Sequence, residues 1–393
     1  MAPKKLFIAH SSRNAPEVHA LADELRLRGI VPWVDKQGGL MVGDHSEVEA
    51  RRAIREDCFG LLLYASREVF ESEFVRDVEL HEARLVKAQR PEFLLFAVPS
   101  RMDFGRLREL SQSQYGIDLS TYHSVPVDTG SIPESQGHIA AEVMTRFLSD
   151  RLKNDVASID LQFSTRDLMP DEDNDLLRID GTALVGRDPC SENNWNRLTK
   201  GLRDIKARLA AFSGRPRLRV HGSKHLTAAF ILGRVFAQFD VDIRQTPLEY
   251  WRIDLAVDKA SPFDVQVERN EAGVPILIFE IRSGVKNVRG GVDAFIESYN
   301  IVPRLRLRLD PNHKPLDVDN RLCRQMTDQA YDSLESTLSE AGFLPEEIHI
   351  FAAVPQTMMV MLGMAFRGIP AVVLHEWTGT AYCRSHRLFA GAL

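Results

Sequence analysis

Apolar and polar positions along this chain switch repeatedly between a strand pattern and a helix pattern. Lys5-Leu-Phe-Ile-Ala9 is an apolar run short enough for a buried strand, and the polar turn His10-Ser-Ser-Arg-Asn14 follows it. Val18, Leu21, Ala22 and Leu25 then recur at i, i+3, i+4 and i+7, which is one face of a helix, and Gly29 supplies its stop. A strand over 30–34, a Gly-rich loop over 35–44, a helix to about Glu56 and an apolar strand over 59–65 come next. The pattern continues with a helix around 74–86, a strand over 93–98 and a last strand near 122–127. A helix over 139–152, with Ile139, Val143 and Phe147 on one face, closes the segment. Strands that alternate with helices imply a parallel, doubly wound sheet.

The C-terminal half contains one unit twice. Leu218-Arg-Val-His-Gly-Ser-Lys-His-Leu-Thr leads into Ala228-Ala-Phe-Ile-Leu-Gly-Arg-Val-Phe236, and 130 residues later Ile348-His-Ile-Phe-Ala-Ala-Val-Pro-Gln-Thr leads into Met358-Met-Val-Met-Leu-Gly-Met-Ala-Phe366. Leu232-Gly233 falls on Leu362-Gly363 without a gap. Each copy reads as a buried strand, a small or polar turn and an apolar helix whose central glycine permits close approach to a sheet. Two Rossmann-like halves follow from this, with a ligand pocket beyond the carboxyl ends of the strands, where helix N-termini attract anions. The rival reading is a pair of unrelated βα units. Residues 276–281 and 298–310 read as further strand, and in Arg304-Leu-Arg-Leu-Arg-Leu309 the arginines share one face. That face is read as solvated, with a subunit contact or a pocket edge as the alternative.

Asp167-Leu-Met-Pro-Asp-Glu-Asp-Asn-Asp175 is acidic and punctuated by proline, which marks an exposed connection. The chain is accordingly divided into residues 1–154, a connection over 155–190, and 191–393. With 44% hydrophobic and 26% charged residues the composition is that of an ordinary globular protein. Its apolar runs are too short to span a bilayer and the N-terminus lacks the apolar core of a signal peptide, so a cytoplasmic location without membrane contact is expected. The formal charge of −6 argues against DNA or RNA duplexes as partners but not against a small anion met by a local basic patch. Cys58, Cys190, Cys323 and Cys383 show no metal-ligand spacing and read as reduced structural thiols; no metal site is expected.

The order of parts in residues 4–150 resembles a toll/interleukin-receptor (TIR) domain. The matching pieces are Leu6-Phe-Ile-Ala-His-Ser-Ser, Trp33-Val-Asp35, Gly43-Asp44, Leu61-Leu-Leu-Tyr-Ala-Ser66 and Ser66-Arg-Glu-Val-Phe-Glu-Ser-Glu-Phe-Val75. The resemblance implies a flavodoxin-like parallel sheet and an NAD glycohydrolase that takes NAD as substrate and needs no cofactor. The family's glutamate stands four residues after the aromatic, a position that Val78 holds here, with Asp77 and Glu79 on either side. Glu79 fits the downstream Glu-Leu-x-x-Ala pattern and is assigned as the catalytic carboxylate, with Asp77 as second choice. A carboxylate is needed because breaking the bond from ribose to nicotinamide develops positive charge on the sugar. Ser11 and Ser12 are assigned as hydrogen-bonding groups for the substrate and Trp33 as an aromatic wall. The plainer readings are a solvated helix carboxylate and a core aromatic. Gly43 and Asp44 are assigned to a contact between neighbouring TIR domains.

The C-terminal region, over roughly 190–393, resembles a SAVED domain, a fused pair of CARF-like halves that senses cyclic oligonucleotides in bacterial antiviral signalling. Besides the two copies, the resemblance rests on Tyr250-Trp251, on Phe279-Glu-Ile-Arg-Ser-Gly284 and on Val372-Val-Leu-His-Glu-Trp377 followed by Tyr382. Ser223, Lys224 and His225 in one turn, and Pro355 and Gln356 in the other, are expected to line the pocket. Arg282, Ser283 and Lys286 are assigned to phosphates, and Trp251 or Tyr382 to stacking on adenine. The combination implies a TIR-SAVED effector: a cyclic oligoadenylate, commonly cyclic tri-adenylate, binds SAVED, drives assembly into filaments and switches on NAD cleavage. Two rivals remain. One is a ligand-gated scaffold whose N-terminal domain only recruits partners; the other is a nucleotide-metabolising α/β enzyme, disfavoured by the absence of a Gly-x-Gly-x-x-Gly or Walker signature.

Overall fold

The computed structural model describes residues 4–34, 46–124, 132–152, 156–170, 175–212, 216–246, 249–284, 288–311, 318–369 and 371–389. The chain forms two compact units, residues 1–156 with 172–179, and residues 157–171 with 180–393. Among the described residues no helix is long and apolar enough to cross a membrane.

The first unit contains β1 (Lys5–Ala9), α1 (Ala15–Leu27), β2 (Val31–Val34), α2 (Ser46–Arg52), β3 (Cys58–Ala65), α3 (Arg67–Phe70), α4 (His81–Gln89), β4 (Leu94–Pro99), α5 (Phe104–Tyr115), β5 (His123–Ser124) and α6 (Ile132–Arg151). The strands are ordered β2-β1-β3-β4-β5 and every pairing is parallel. β3 is buried at every position, as a central parallel strand covered on both faces must be. Gly29 adopts φ +79° and ends α1 where the pattern placed the stop. α5 is absent from the hydrophobic pattern because it buries little beyond Leu107 and Ser111. Its ends carry the available signal: Asp103 accepts from the Arg106 N–H, and Gly116 closes the helix at φ +65°.

The second unit contains β6 (Ser158–Ser164), the end of β7 (Asp175–Asp180), α7 (Glu192–Ala210), β8 (Arg217–His221), α8 (Leu226–Val235), β9 (Val241–Thr246), β10 (Glu249–Arg252), β11 (Phe263–Arg269), β12 (Val274–Arg282), α9 (Val288–Ser298), β13 (Pro303–Pro311), α10 (Asn320–Glu340), β14 (Glu347–Ala353), α11 (Gln356–Ala365), β15 (Ala371–Trp377) and β16 (Tyr382–Phe389). One sheet includes the run β10-β9-β8-β6, and the other is ordered β11-β13-β12-β14-β15-β16. In both, a strand pairs in parallel with the strand after its helix, and that second strand pairs antiparallel with an edge strand. The first residues of β8, α8 and β9 each lie 130 positions before those of β14, α11 and β15. The repeat therefore covers a whole strand-helix-strand unit in register. The 155–190 stretch is not simply a connection: Ile159, Leu161 and Phe163 alternate with polar residues and are buried in β6, which pairs with β8.

The repeated glycines serve a different contact from the one their spacing suggested. They do not admit a sheet; they bring α8 and α11 together. A Cβ on Gly233 would lie 1.9 Å from the Val360 carbonyl oxygen, and one on Gly363 would lie 2.1 Å from that of Phe230. Phe366, Phe230 and Phe279 pack around this crossing with ring centroids 5.9 Å apart in each of two pairs.

Two further expectations are corrected. Cys190 and Cys383 form a disulfide with Cα atoms 5.8 Å apart, whereas Cys58 and Cys323 are free and buried. The partners lie 193 residues apart, so no local spacing announced them. Arg306 and Arg308 do not present a solvated face. Both pair with Glu280 on the neighbouring strand, Arg306 also reaches Asp293 at 2.6 Å, and Arg308 reaches Glu268 at 2.5 Å.

Gly233→Ala places a methyl group against backbone that has nowhere to move. It is expected to destabilise the second unit by at least about 2 kcal/mol, read as a lowered denaturant midpoint at unchanged slope. An unchanged midpoint would show that the helices separate without cost.

Candidate functional site

The carboxyl ends of β12, β14 and β15 and the N-termini of α8 and α11 surround an open cleft of ≈ 1320 Å³. This exceeds the roughly 300–1,000 Å³ of pockets built for small molecules. His225 and Leu226 reach it from the start of α8, and Val354, Pro355 and Gln356 from the start of α11. The two turns singled out by the repeat thus meet at one site, as pockets at sheet carboxyl ends do.

The end of β15 supplies three consecutive lining residues. Glu376 is 2% exposed, and its Oε1 accepts the Thr227 N–H of α8 at 2.6 Å. Burial pushes its carboxyl above the ordinary range, while the Thr227 N–H and Arg166 oppose that shift. Among the described lining residues Glu376 is the one carboxylate and Arg166 the one guanidinium, and they stand 3.8 Å apart. At the other helix the reciprocal contact is neutral: Gln245, at the end of β9, donates from its amide to the Thr357 hydroxyl of α11. α8 is thus capped at a backbone N–H, whereas α11 is met only at a side-chain hydroxyl. Trp377 is 47% exposed at the rim, edge-on to Tyr382 at 5.1 Å.

His375 belongs to a buried relay. Arg387 holds Glu347 at 2.5 Å, Glu347 lies 3.0 Å from His349 Nε2, and His349 Nδ1 lies 3.0 Å from His375 Nε2. Burial lowers both imidazoles, His375 well below the usual histidine range, so both are neutral at neutral pH. A carboxylate only accepts, so the His349 proton sits on Nε2 and its Nδ1 accepts the Nε2–H of His375. That leaves His375 Nδ1 as a lone pair, and it has no hydrogen-bond partner.

The assigned ligand contacts divide. His225, Ser283, Pro355, Gln356 and Tyr382 line the cleft. His225 bonds Thr165, and burial lowers it to about 4, so it is a neutral group there. Tyr382 is 8% exposed and burial pushes its phenol up to about 12. Lys224 is not among the lining residues; it is buried, and its ammonium donates to the Gly222 carbonyl at 2.6 Å. Ser223 bonds Asp167 instead, at 3.3 Å. Arg282 pairs with Asp310 beside a separate cavity of ≈ 230 Å³. Trp251 is buried on the edge strand β10, its indole N–H bonded to Glu249 at 2.8 Å. Lys286 lies outside the described residues, as do Gly43 and Asp44 of the first unit. Arg166, His375, Glu376 and Trp377 were not assigned by the sequence. The last three fall in the stretch Val372-Val-Leu-His-Glu-Trp377, which was quoted for the family resemblance but given no ligand role.

In the first unit Phe74 is followed by a wide π-type turn, Val75–Leu80. In such a turn residue i+5 stands over residue i, where i+4 stands in an α-helix. Glu79 is five residues after Phe74. Counting on an α-helix gave that place to Val78, which instead packs in the core, while Glu79 is 4% exposed. Burial and the Glu79 carboxylate both push the Tyr115 phenol upward. Asp77 points outward, paired with Arg76 at 2.7 Å, which holds its carboxyl below the usual range. Ser11 caps the turn at Ser12–Asn14 by accepting the Arg13 N–H. Trp33 stacks on Phe7 at 4.4 Å and packs against the core.

Residues 200–388 match the model of the SAVED family, the sensor domain described as SMODS-associated and fused to various effectors. This region is a SAVED domain. Two solved structures of an Acinetobacter baumannii Cap4 SAVED/CARF-domain containing receptor are similar to the chain. The one with the cyclic trinucleotide 3'3'3'-cAAA has TM-score 0.51 at 12% identity and covers 95% of this chain and 98% of its own. The one with 2'3'3'-cAAA has TM-score 0.50 at 14% identity, over 87% and 85%. At these identities the likeness is one of fold. No curated protein matches the chain in sequence.

Lys224 gives a test of its placement. Burial lowers it to about 7 from 10.5. Between those values the unfolded chain holds the proton that the folded chain has lost, so this group makes stability rise with pH from about 7 to 10.5. Lys224→Met is therefore expected to be more stable than wild type at pH 7, with the difference shrinking toward pH 10 in denaturant titrations. A difference independent of pH would place the ammonium in water.

Proposed function

We propose that the SAVED domain is the receptor for a cyclic oligonucleotide, in particular a cyclic tri-adenylate, and that binding switches an NAD-cleaving activity of the first unit. The observation that carries the receptor reading is the ≈ 1320 Å³ cleft ringed by strand ends and two helix N-termini in a SAVED domain. The Cap4 receptors of similar fold hold cyclic trinucleotides, which supports the same ligand class here. The start of α11 suits phosphate, and Trp377 suits a stacked base.

The enzymatic half of the proposal rests on resemblance to TIR domains, and the strand order β2-β1-β3-β4-β5 supports it. So does the π-type turn, which takes up one residue and gives Glu79 the place four residues past the aromatic in a regular helix. A carboxylate there would oppose the charge that develops on the ribose as nicotinamide leaves. Ligand-driven assembly of many copies is the proposed means of activation, since a ligand acts at a distance only by favouring one of two states. A scaffold without catalysis is the alternative reading, and the outward, Arg76-paired Asp77 offers catalysis no substitute for Glu79.

Calorimetry on the full chain should give saturable 1:1 binding of cyclic tri-adenylate per cleft, and no heat with this ring or other cyclic oligonucleotides would remove the receptor function. With ligand present, Glu79→Gln should lower NAD turnover by about two to three orders of magnitude at unchanged ligand affinity, since a charge at about 4 Å in an effective dielectric of about 20 contributes roughly 4 kcal/mol. Wild-type protein that binds ligand yet leaves NAD intact at every concentration tested would favour the scaffold.

A further inference from the structure

Glu376 and His375 make the end of β15 a wall that only accepts hydrogen bonds. The Glu376 carboxylate accepts the Thr227 N–H on Oε1, and its Oε2 faces Arg166 at 3.8 Å, beyond hydrogen-bond distance. The relay through His349 to Glu347 leaves His375 with a lone pair on Nδ1, and that ring is 5% exposed with Nδ1 unpartnered. Both residues line the cleft, and Trp377 beside them offers an aromatic face at the rim. The pattern is confined to one half: the positions 130 residues earlier are Gln245 and Thr246, neither of which is a carboxylate or an imidazole.

Acceptors of this kind repel phosphate, whose oxygens also accept, and a carboxylate adds repulsion of like charge. They suit a group rich in N–H donors. A buried acceptor that goes unmet costs the full desolvation of that atom, so such a wall discriminates against a ligand without the donor. From this we infer that Glu376 and His375 read the exocyclic amine of an aminopurine, and that the phosphates of the ring lie toward the start of α11. This rests on the receptor reading above and adds which chemical group the receptor selects, and where.

The test compares three rings of equal size: one of adenine, one of purine, which lacks only the amine, and one of hypoxanthine, which carries an oxo group in its place. In wild type the purine ring is expected to bind at least about tenfold more weakly than the adenine ring, the effect of one hydrogen bond to a charged acceptor. Glu376→Gln keeps an oxygen for Thr227 and puts an amide N–H₂ in place of the second acceptor oxygen. It should move the ratio of hypoxanthine to adenine affinity upward by at least about tenfold, a change that mere loosening of α8 would not produce. Equal wild-type affinity for the adenine and purine rings would overturn the inference even if Glu376→Gln fails to fold. The same hypoxanthine to adenine ratio in both proteins would overturn the role of Glu376. Failure of all three rings to bind wild type would overturn the receptor function itself, and with it this assignment.

Discussion

The contact between Gly233 and Gly363 constrains the second unit more than any other. With a hydrogen atom in place of each side chain, the backbones of α8 and α11 pass at a distance no other residue permits. Helices are 8–10 Å apart when side chains intervene, and here that spacing is not available. The close crossing fixes where the N-termini of the two helices lie, and those N-termini form one edge of the cleft. The cross-contacts lie at those same ends: Glu376 of one half reaches the Thr227 N–H of the other, and Gln245 reaches the Thr357 hydroxyl.

The cleft is close to neutral among its described residues, one guanidinium against one carboxylate, so it is not a general anion trap. Its selectivity comes from the placement of hydrogen-bonding atoms. Charged groups that the sequence offered for phosphate are used within the protein, Arg282 on Asp310 and Lys224 on a carbonyl, and Arg306 and Arg308 are likewise spent on Glu280. The Arg306 and Arg308 pairs with Glu280 are buried between neighbouring strands. The disulfide from Cys190 to Cys383 ties a lining residue of the cleft to β16, beside Tyr382.

What the sequence made legible follows from range. Buried strands such as β3 and the amphipathic α1 announce themselves within a few residues, and the 130-residue repeat did the same for the two halves because it preserves register. α5 was missed since a helix lying on the surface carries no apolar period, only its caps. Lys224 was misplaced because a lysine beside a glycine turn reads as a phosphate group, whereas its burial is decided by the elements packed over it. Glu79 was offset by one residue from its pattern since a wide turn cannot be told from an α-helical one by spacing alone. The relay from Arg387 to His375 spans three strands, and no local pattern encodes it.

The period of 130 residues describes a chain that carries one strand-helix-strand unit twice in a single polypeptide. Two identical chains meeting through their glycines would have formed a cleft with a two-fold axis, obliged to treat both sides of any guest alike. Covalent fusion lifts that obligation, because a change in one copy is no longer repeated in the other. Glu376 opposite Thr246, and His375 opposite Gln245, are such departures. A ring of three equal units has no two-fold axis, so a cleft held to strict symmetry could not match it unit for unit. For the proposed three-membered ligand, divergence of the two halves removes that mismatch.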